Sequence, residues 1–337
     1  RESSQAVTLG TMVFGPNRVT HFDDMGAYRI MSRCGDHAEL RGFVQDHLGE
    51  IISYDEARGT ELAPTLEAFL EEGCNSQAAA DRLFVHVNTL KYRLSRVERL
   101  AGIDLAIAET RADIVCLQEI KASREQVPEA LCEMSGYWCY WHGERAYSGV
   151  GLHIRRDISP EKPHFEHPDF DSETRIVTAR IGSLVITSVY VPNGGKDFAA
   201  KMRFLESMER YATECRTRKI DLILCGDMNV ARTDMDVHPK ERKPNVIGQR
   251  PEERELFERV IANGGMVDLG RAFDPDNDRL FTWWPPWRNM RQRNIGWRLD
   301  YILASQAAAS RVTQCSVCAQ FGTSDHAPVV ADFADLP

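Results

Sequence analysis

Five short words in the second half of the chain carry residue types that could hydrolyse a phosphodiester. They are Gln118-Glu119, Tyr190-Val191-Pro192-Asn193, Gly226-Asp227-Met228-Asn229, Leu299-Asp300-Tyr301 and Ser324-Asp325-His326. Breaking that bond needs a cation to neutralise the phosphate, an activated water, and donors to the developing charge. Carboxylates are hard oxygen ligands suited to Mg²⁺; Asn, Tyr and His supply donors and a proton-transfer group. Each word alone is ordinary, since a Glu after a strand is usually surface and a Gly-Asp-x-Asn is usually a turn. Five of them, each at the end of an apolar run, predict a site.

Those runs are the elements that must position the site. Ile114–Leu117, Val150–Ile154, Leu184–Tyr190, Leu222–Cys225, Leu299–Leu303 and Val329–Ala331 read as buried strands alternating with helix-like stretches. This grammar predicts an α/β sandwich over residues 105–337, with the polar strand ends collected at one rim. Residues 1–104 read differently, as a small, mostly helical region. Asp36 and Thr60 are candidate caps for its first two helices, the second carrying Leu62, Leu66, Phe69 and Leu70 inward. Asn75 or Ser76 starts a third helix with Ala79, Ala80, Leu83 and Phe84 inward. After a turn at Val85-His86-Val87, Asn88 caps a fourth, with Leu90, Leu94, Val97 and Ala101 on its inner face. The last two helices read as a helix-turn-helix at about 75–101.

Bulk composition sets bounds. Hydrophobic residues make up 43% and charged residues 27% of the 337, as in ordinary globular chains. No apolar run approaches the ~18 residues of a membrane span, and the opening Arg1-Glu2-Ser3-Ser4 lacks a signal pattern, so the expected location is the cytoplasm, with no membrane partner. The absent Met marks a processed chain or a fragment. The nine cysteines are scattered, and Cys315-x-x-Cys318 has no second ligand pair for zinc; reduced structural thiols are expected. A net charge of −9 does not exclude a nucleic-acid partner, because binding needs only a local basic surface. Residues 82–99 and 286–298 supply two such runs.

The five words, in this order, resemble the exonuclease III and abasic-site endonuclease branch of the endonuclease/exonuclease/phosphatase superfamily. So do the longer stretches "ADIVCLQEIKA", "LILCGDMNVARTDMDVHPKERKPNVIGQRPEERELF" and "FTWWPPWRNMRQRNIGWRLDYILAS". The resemblance implies a Mg²⁺ enzyme, with Mn²⁺ as a substitute, that cleaves 5′ of abasic sites in duplex DNA and trims blocked 3′ ends. It implies Glu119 as a metal ligand, with Asp325 nearby. Asp227 would activate the water, Asn229, Asn193 and Tyr190 would contact the phosphate or leaving group, and His326 would act with Asp300 fixing its ring. Trp283, Trp297 and Leu299 would line a pocket for the extruded sugar, whose base-less apolar face suits aromatic walls. Lys196, Arg288, Arg291 and Arg293 would hold the flanking backbone. The branch normally opens with a strand ending in Trp-Asn-Val-Asn; that strand is missing ahead of Ala106.

In its place stands text resembling the C-terminal DNA-binding domain of PucR/CdaR-type transcription regulators, carried by Ala78-Ala79-Ala80, Phe84–Leu90 and Tyr92-Arg93-Leu94. That resemblance implies a recognition helix from Asn88 to Arg99, with Asn88, Lys91, Tyr92, Arg96 and Arg99 toward operator DNA and His86 in the turn. Two functions are therefore expected as alternatives: a DNA-repair phosphodiesterase, or a DNA-binding regulator joined to an inactive nuclease-like half. The join near Asp104 reads either as a natural fusion or as two genes run together.

Overall fold

The computed structural model describes residues 48, 49, 51–72, 75–101, 112–121, 123, 124, 134, 136–144, 148–243, 245–319 and 324–334. The helix expected after Asp36 and candidate strands at 6–14 and 28–31 lie outside them, as does the side chain of Arg99. The chain divides into two compact units, 1–103 and 104–337.

In the first unit, residues 51–58 are helical, followed by α1 (Leu62–Glu71), α2 (Ser76–Arg82) and α3 (Val87–Ala101). Asn75 caps α2, its side chain accepting from Gln77 N and Ala78 N. The other expected caps are displaced. Asp55, not Thr60, satisfies the start of α1, accepting from Leu62 N and Ala63 N at 2.8 Å each. Ahead of α3 the cap is His86, whose Nδ1 accepts from Asn88 N at 3.2 Å. Ala79, Ala80, Leu90 and Leu94 form one buried cluster; Ile51, Leu62 and Val97 form another. Two expected core residues are outside: Leu70 is exposed, and Phe84 is 96% exposed with φ +54° because the chain reverses there. Apolar periodicity cannot foresee a left-handed turn residue.

The second unit contains β1 (Ile114–Gln118), β2 (Tyr137–His142), β3 (Val150–Arg155), β4 (His164–Glu166), β5 (Ile176–Ile181), β6 (Leu184–Tyr190), α4 (Phe198–Thr217), β7 (Asp221–Asp227), α5 (Pro251–Gly264), β8 (Met266–Asp268), α6 (Leu269–Phe273), β9 (Asp300–Ser305), α7 (Gln306–Ala309), β10 (Val312–Val317) and β11 (Val329–Phe333). A six-stranded sheet runs in the order β4-β5-β6-β7-β9-β8. β6 and β7 are parallel, and β9 pairs antiparallel with β7.

Alternation along the central strands explains the layering. Val185 and Val189, Leu222 and Leu224, and Tyr301 and Leu303 face one side, where they meet Phe204, Leu205 and Met208 of α4 and Leu256, Phe257 and Val260 of α5. Leu184 and Ile186, Ile223, and Ile302 and Ala304 face the other, against Ile114 and Cys116 of β1, the β3 residues Val150, Leu152 and Ile154, and Val329, Ala331 and Phe333 of β11. Burial on both faces is why these strands read as continuous apolar runs.

The second layer is broken into a three-stranded sheet, β1-β3-β2, and a two-stranded sheet, β10-β11. Among the described residues β1 pairs only with β3, and β11 only with β10. β1 is only half-buried along its length although four of its five residues are apolar. Both pieces nonetheless pack on the same face of the large sheet. No helix among the described residues is long and apolar enough to cross a membrane.

Candidate active site

The parallel register of β6 and β7 puts Tyr190 beside Asp227, and the antiparallel register of β7 and β9 puts Asp227 opposite Asp300. Three of the five words therefore meet because their strands end together. Gly226 makes the last step of β7: its φ is +149°, and an added Cβ would lie 1.9 Å from the Val189 carbonyl oxygen, which leaves room for glycine alone.

Asp227 is 3% exposed. Its Oδ1 accepts from Asn229 N at 2.8 Å and its Oδ2 from Asn229 Nδ2 at 3.0 Å. Asn229 can do both because it adopts φ +52°, a left-handed conformation that Asn tolerates. Asn229 Oδ1 in turn accepts from Asn193 Nδ2 at 3.0 Å. Burial and then the Asp300 charge push the Asp227 carboxyl up to about 7.

Asp300 Oδ2 lies 2.9 Å from His326 Nδ1. Burial works against the imidazolium, but the Asp300 charge and hydrogen bond outweigh it and raise His326 to about 10. Thr282, fully buried, ties this pair together: its Oγ1 accepts from Leu299 N at 2.9 Å and Asp300 N at 3.0 Å, and its carbonyl accepts from Ala327 N at 2.7 Å.

Glu119 follows β1 with φ +54°. One carboxylate oxygen accepts from the Tyr190 hydroxyl; the other meets Lys121 Nζ at 2.5 Å. Burial acts to raise its pKa, and the bonds from Lys121 and Tyr190 overcome that and hold it low. Burial and the Glu119 hydrogen bond keep the Tyr190 phenol protonated far above its usual range. The Arg175 guanidinium sits 4.9 Å over the Tyr190 ring.

Beside His326 the aromatic span forms a small apolar cluster. Trp283 and Trp297 meet edge to face at 5.6 Å and pack on Leu299, Ala231 and Val237. The Trp283 ring lies 6.5 Å from that of His326, and Trp283 Nε1 donates to Asp325 Oδ2 at 3.0 Å. Of the other two Trp in this span, Trp284 is core and Trp287 is 57% exposed.

The basic residues separate as well. Arg288, Arg293 and Lys196 are exposed. Arg291 is turned inward instead: it donates to Ser324 O and, at 3.0 Å, to Ala319 O, with its guanidinium 5.0 Å over the Trp284 ring. It clamps the Asp325-His326 segment, so the expected backbone contact does not describe it. In the first unit Asn88, Lys91 and Tyr92 are exposed. Arg96, expected outward, donates to the Tyr54 hydroxyl at 2.6 Å and lies over its ring.

Reading the sequence missed four positioning groups: Lys121, Thr282, Lys201 and Glu253. Only Lys201 left a signal, because it falls in helical register with Phe204, Leu205 and Met208 on an otherwise apolar face.

A hard divalent cation fits this donor set. Glu119, Asp227 and Asp300 bring like charge together; burial first, then the Asp300 and Glu119 charges, raise the Asp227 carboxyl, and a cation would offset that charge. Lys121 already places a positive charge on Glu119. Asp325 is held by Trp283 and does not join Glu119 and a third carboxylate at ligand spacing. Among the described residues, the group that reaches that spacing is His142, His167 and Asp171. There His167 Nε2 meets the Tyr140 hydroxyl at 2.9 Å, its Nδ1 meets Ile176 O at 3.0 Å, and His142 Nε2 meets Asp171 at 2.6 Å, which is a satisfied hydrogen-bond network.

Residues 75–326 match a model described as Endonuclease/Exonuclease/phosphatase family. The chain belongs to that family. The match reaches back across α2 and α3 into the first unit. Within the family, the chain is 30% identical over 247 residues to an exodeoxyribonuclease of Bacillus subtilis, covering 72% of this chain and 95% of that protein. It is 34% identical over 230 residues to Recombination repair protein 1 of Drosophila melanogaster, covering 66% of this chain but only 33% of that longer protein. The solved structure of an AP endonuclease from Archaeoglobus fulgidus superposes with a TM-score of 0.60 at 27% identity, over 70% of this chain and 95% of that one.

Proposed function

We propose that the second unit is a Mg²⁺-dependent DNA-repair phosphodiesterase, with Mn²⁺ able to substitute, that cuts duplex DNA 5′ of abasic sites and trims blocked 3′ ends. The observation that carries this reading is the apolar cluster of Trp283, Trp297 and Leu299 beside the His326–Asp300 pair. A base-less sugar bound beside that pair would meet aromatic, apolar walls. The names of the relatives support the same class.

In this reading Asp227 takes the proton of the attacking water, and Asn229 holds Asp227 by both oxygens while Asn193 fixes the far side of Asn229. His326, kept cationic by Asp300, neutralises charge on the phosphate. Glu119 would hold the metal, which when bound supplies Lewis-acid neutralisation of the phosphate, while Asp325 stays bonded to Trp283. Arg288, Arg293 and Lys196 face the solvent from which DNA approaches.

The test is a duplex oligonucleotide carrying one abasic analogue. Incision 5′ of the lesion, leaving a 3′-hydroxyl, is expected with Mg²⁺ and is abolished by EDTA. Incision that survives EDTA, or none at all with Mg²⁺ or Mn²⁺, contradicts the proposal.

The exposed side chains of Asn88, Lys91 and Tyr92 on α3, after the capped turn at His86, favour a second reading for the first unit: contact with operator DNA through a helix-turn-helix. Arg93 and Arg96 are spent on Glu61 and Tyr54. Few free cations remain, so binding should be weak and strongly salt-dependent. Nanomolar, sequence-specific binding at physiological salt by a monomer would overturn this.

A further inference from the structure

Lys201, on α4, is wholly buried, and so is its partner Glu253 on α5. Its ammonium donates to a Glu253 carboxylate oxygen and, at 2.7 Å, to the carbonyl oxygen of Asn229. The other Glu253 oxygen accepts from Gly248 N at 2.5 Å and Arg250 N at 3.0 Å. The lysine stem packs on Gly194, whose φ is +89° and where an added Cβ would approach Lys201 Cδ to 2.9 Å. One side chain therefore touches the turn after Asn193 and the backbone of Asn229.

A buried ion pair is expensive to desolvate, and an apolar pair of similar size commonly serves stability as well or better. Stability alone does not account for two charges here. The third contact does: Asn229 sits in a left-handed conformation, and both of its bonds to Asp227 depend on that geometry. A charged donor on its carbonyl fixes the peptide that sets them.

We infer that Lys201 is a positioning residue for the reaction, holding Asn229, and through it Asp227, in place, while Glu253 keeps the ammonium charged and aimed. The inference rests on the phosphodiesterase reading above. It assigns Lys201 no contact with substrate.

Two variants separate positioning from packing. Lys201→Met keeps the stem but strands the Glu253 carboxylate, so both melting temperature and kcat should fall. Lys201→Met with Glu253→Gln removes the stranded charge and keeps the acceptor for Gly248 and Arg250. Its melting temperature should return close to that of the parent, while kcat on the abasic duplex stays down roughly 30-fold, because a small misplacement of a reacting group costs up to about 100-fold. KM should change less than about twofold by the same argument. A crystal structure of the double variant should show Asn229 out of its left-handed conformation and Nδ2 away from Asp227. Recovery of kcat along with melting temperature overturns the inference, as does an unmoved Asn229 in that structure. A parent enzyme that cuts nothing defeats the phosphodiesterase reading instead, and the Asn229 geometry then still decides the role of Lys201.

Discussion

Asp227 and Asp300 stand directly opposite each other in the antiparallel pairing of β7 with β9. Two carboxylates forced together cannot both ionise freely. Asp300 hydrogen-bonds His326, and burial together with the Asp300 charge pushes the Asp227 carboxyl up to about 7. The strand register thereby sets the proposed base, Asp227, against the Asp300–His326 pair.

A bell-shaped pH profile follows. Asp227 must be deprotonated to act, so kcat/KM should rise as pH climbs through about 7. His326 must be protonated, so activity should fall as pH approaches about 10. Asp300→Asn removes the charge that raises both values, so both limbs should move to lower pH. A variant profile that stays in place, or moves upward, contradicts this assignment of the pair.

The Trp283–Trp297 cluster makes a selectivity prediction. Trp297→Ala opens the wall facing Trp283 without touching Asp227 or Asp300. The preference for an abasic duplex over 3′-end trimming, as a ratio of kcat/KM values, should fall about tenfold, or about 1.4 kcal/mol. An equal loss on both substrates would mean that Trp297 serves structure alone.

The catalytic words and the central strands were legible because both faces of β6, β7 and β9 are buried and their polar ends break the apolar runs sharply. β2, whose Tyr137–His142 is half-buried, β5, where Thr178 and Arg180 interrupt the apolar run, and the short β4 and β8 escaped notice, since their patterns are too weak to separate from loops. Phe84 and Leu70 were misplaced because periodicity reports a face, and a turn or a helix end decides whether that face is covered. Arg291 and Arg96 read as free cations; nothing local in sequence reveals that Ser324 and Tyr54 come back to meet them. Lys201 was overlooked for the opposite reason, a charge hidden inside an apolar stripe.

The broken second layer should limit stability. β1 and β11 each have one edge without a strand partner among the described residues, and both pack on the same side of the large sheet. Each buried unsatisfied backbone group costs about 1–3 kcal/mol. Placing an apolar strand ending in Trp-Asn-Val-Asn ahead of Ala106 should raise the melting temperature by roughly 5–10 °C and increase abasic-site cleavage. If the extended and original chains melt and cleave alike, the edges of β1 and β11 are already covered by other means.

The central claim, that Asp227 is the base of a phosphodiesterase, is tested most directly by comparing the parent with Asp227→Asn under single-turnover conditions. The substrate is the abasic duplex with saturating Mg²⁺. The substitution keeps the shape of the side chain and removes its basicity. The rate constant should fall roughly 10²- to 10⁴-fold, with DNA affinity little changed. Cleavage by Asp227→Asn at the parental rate would contradict the account.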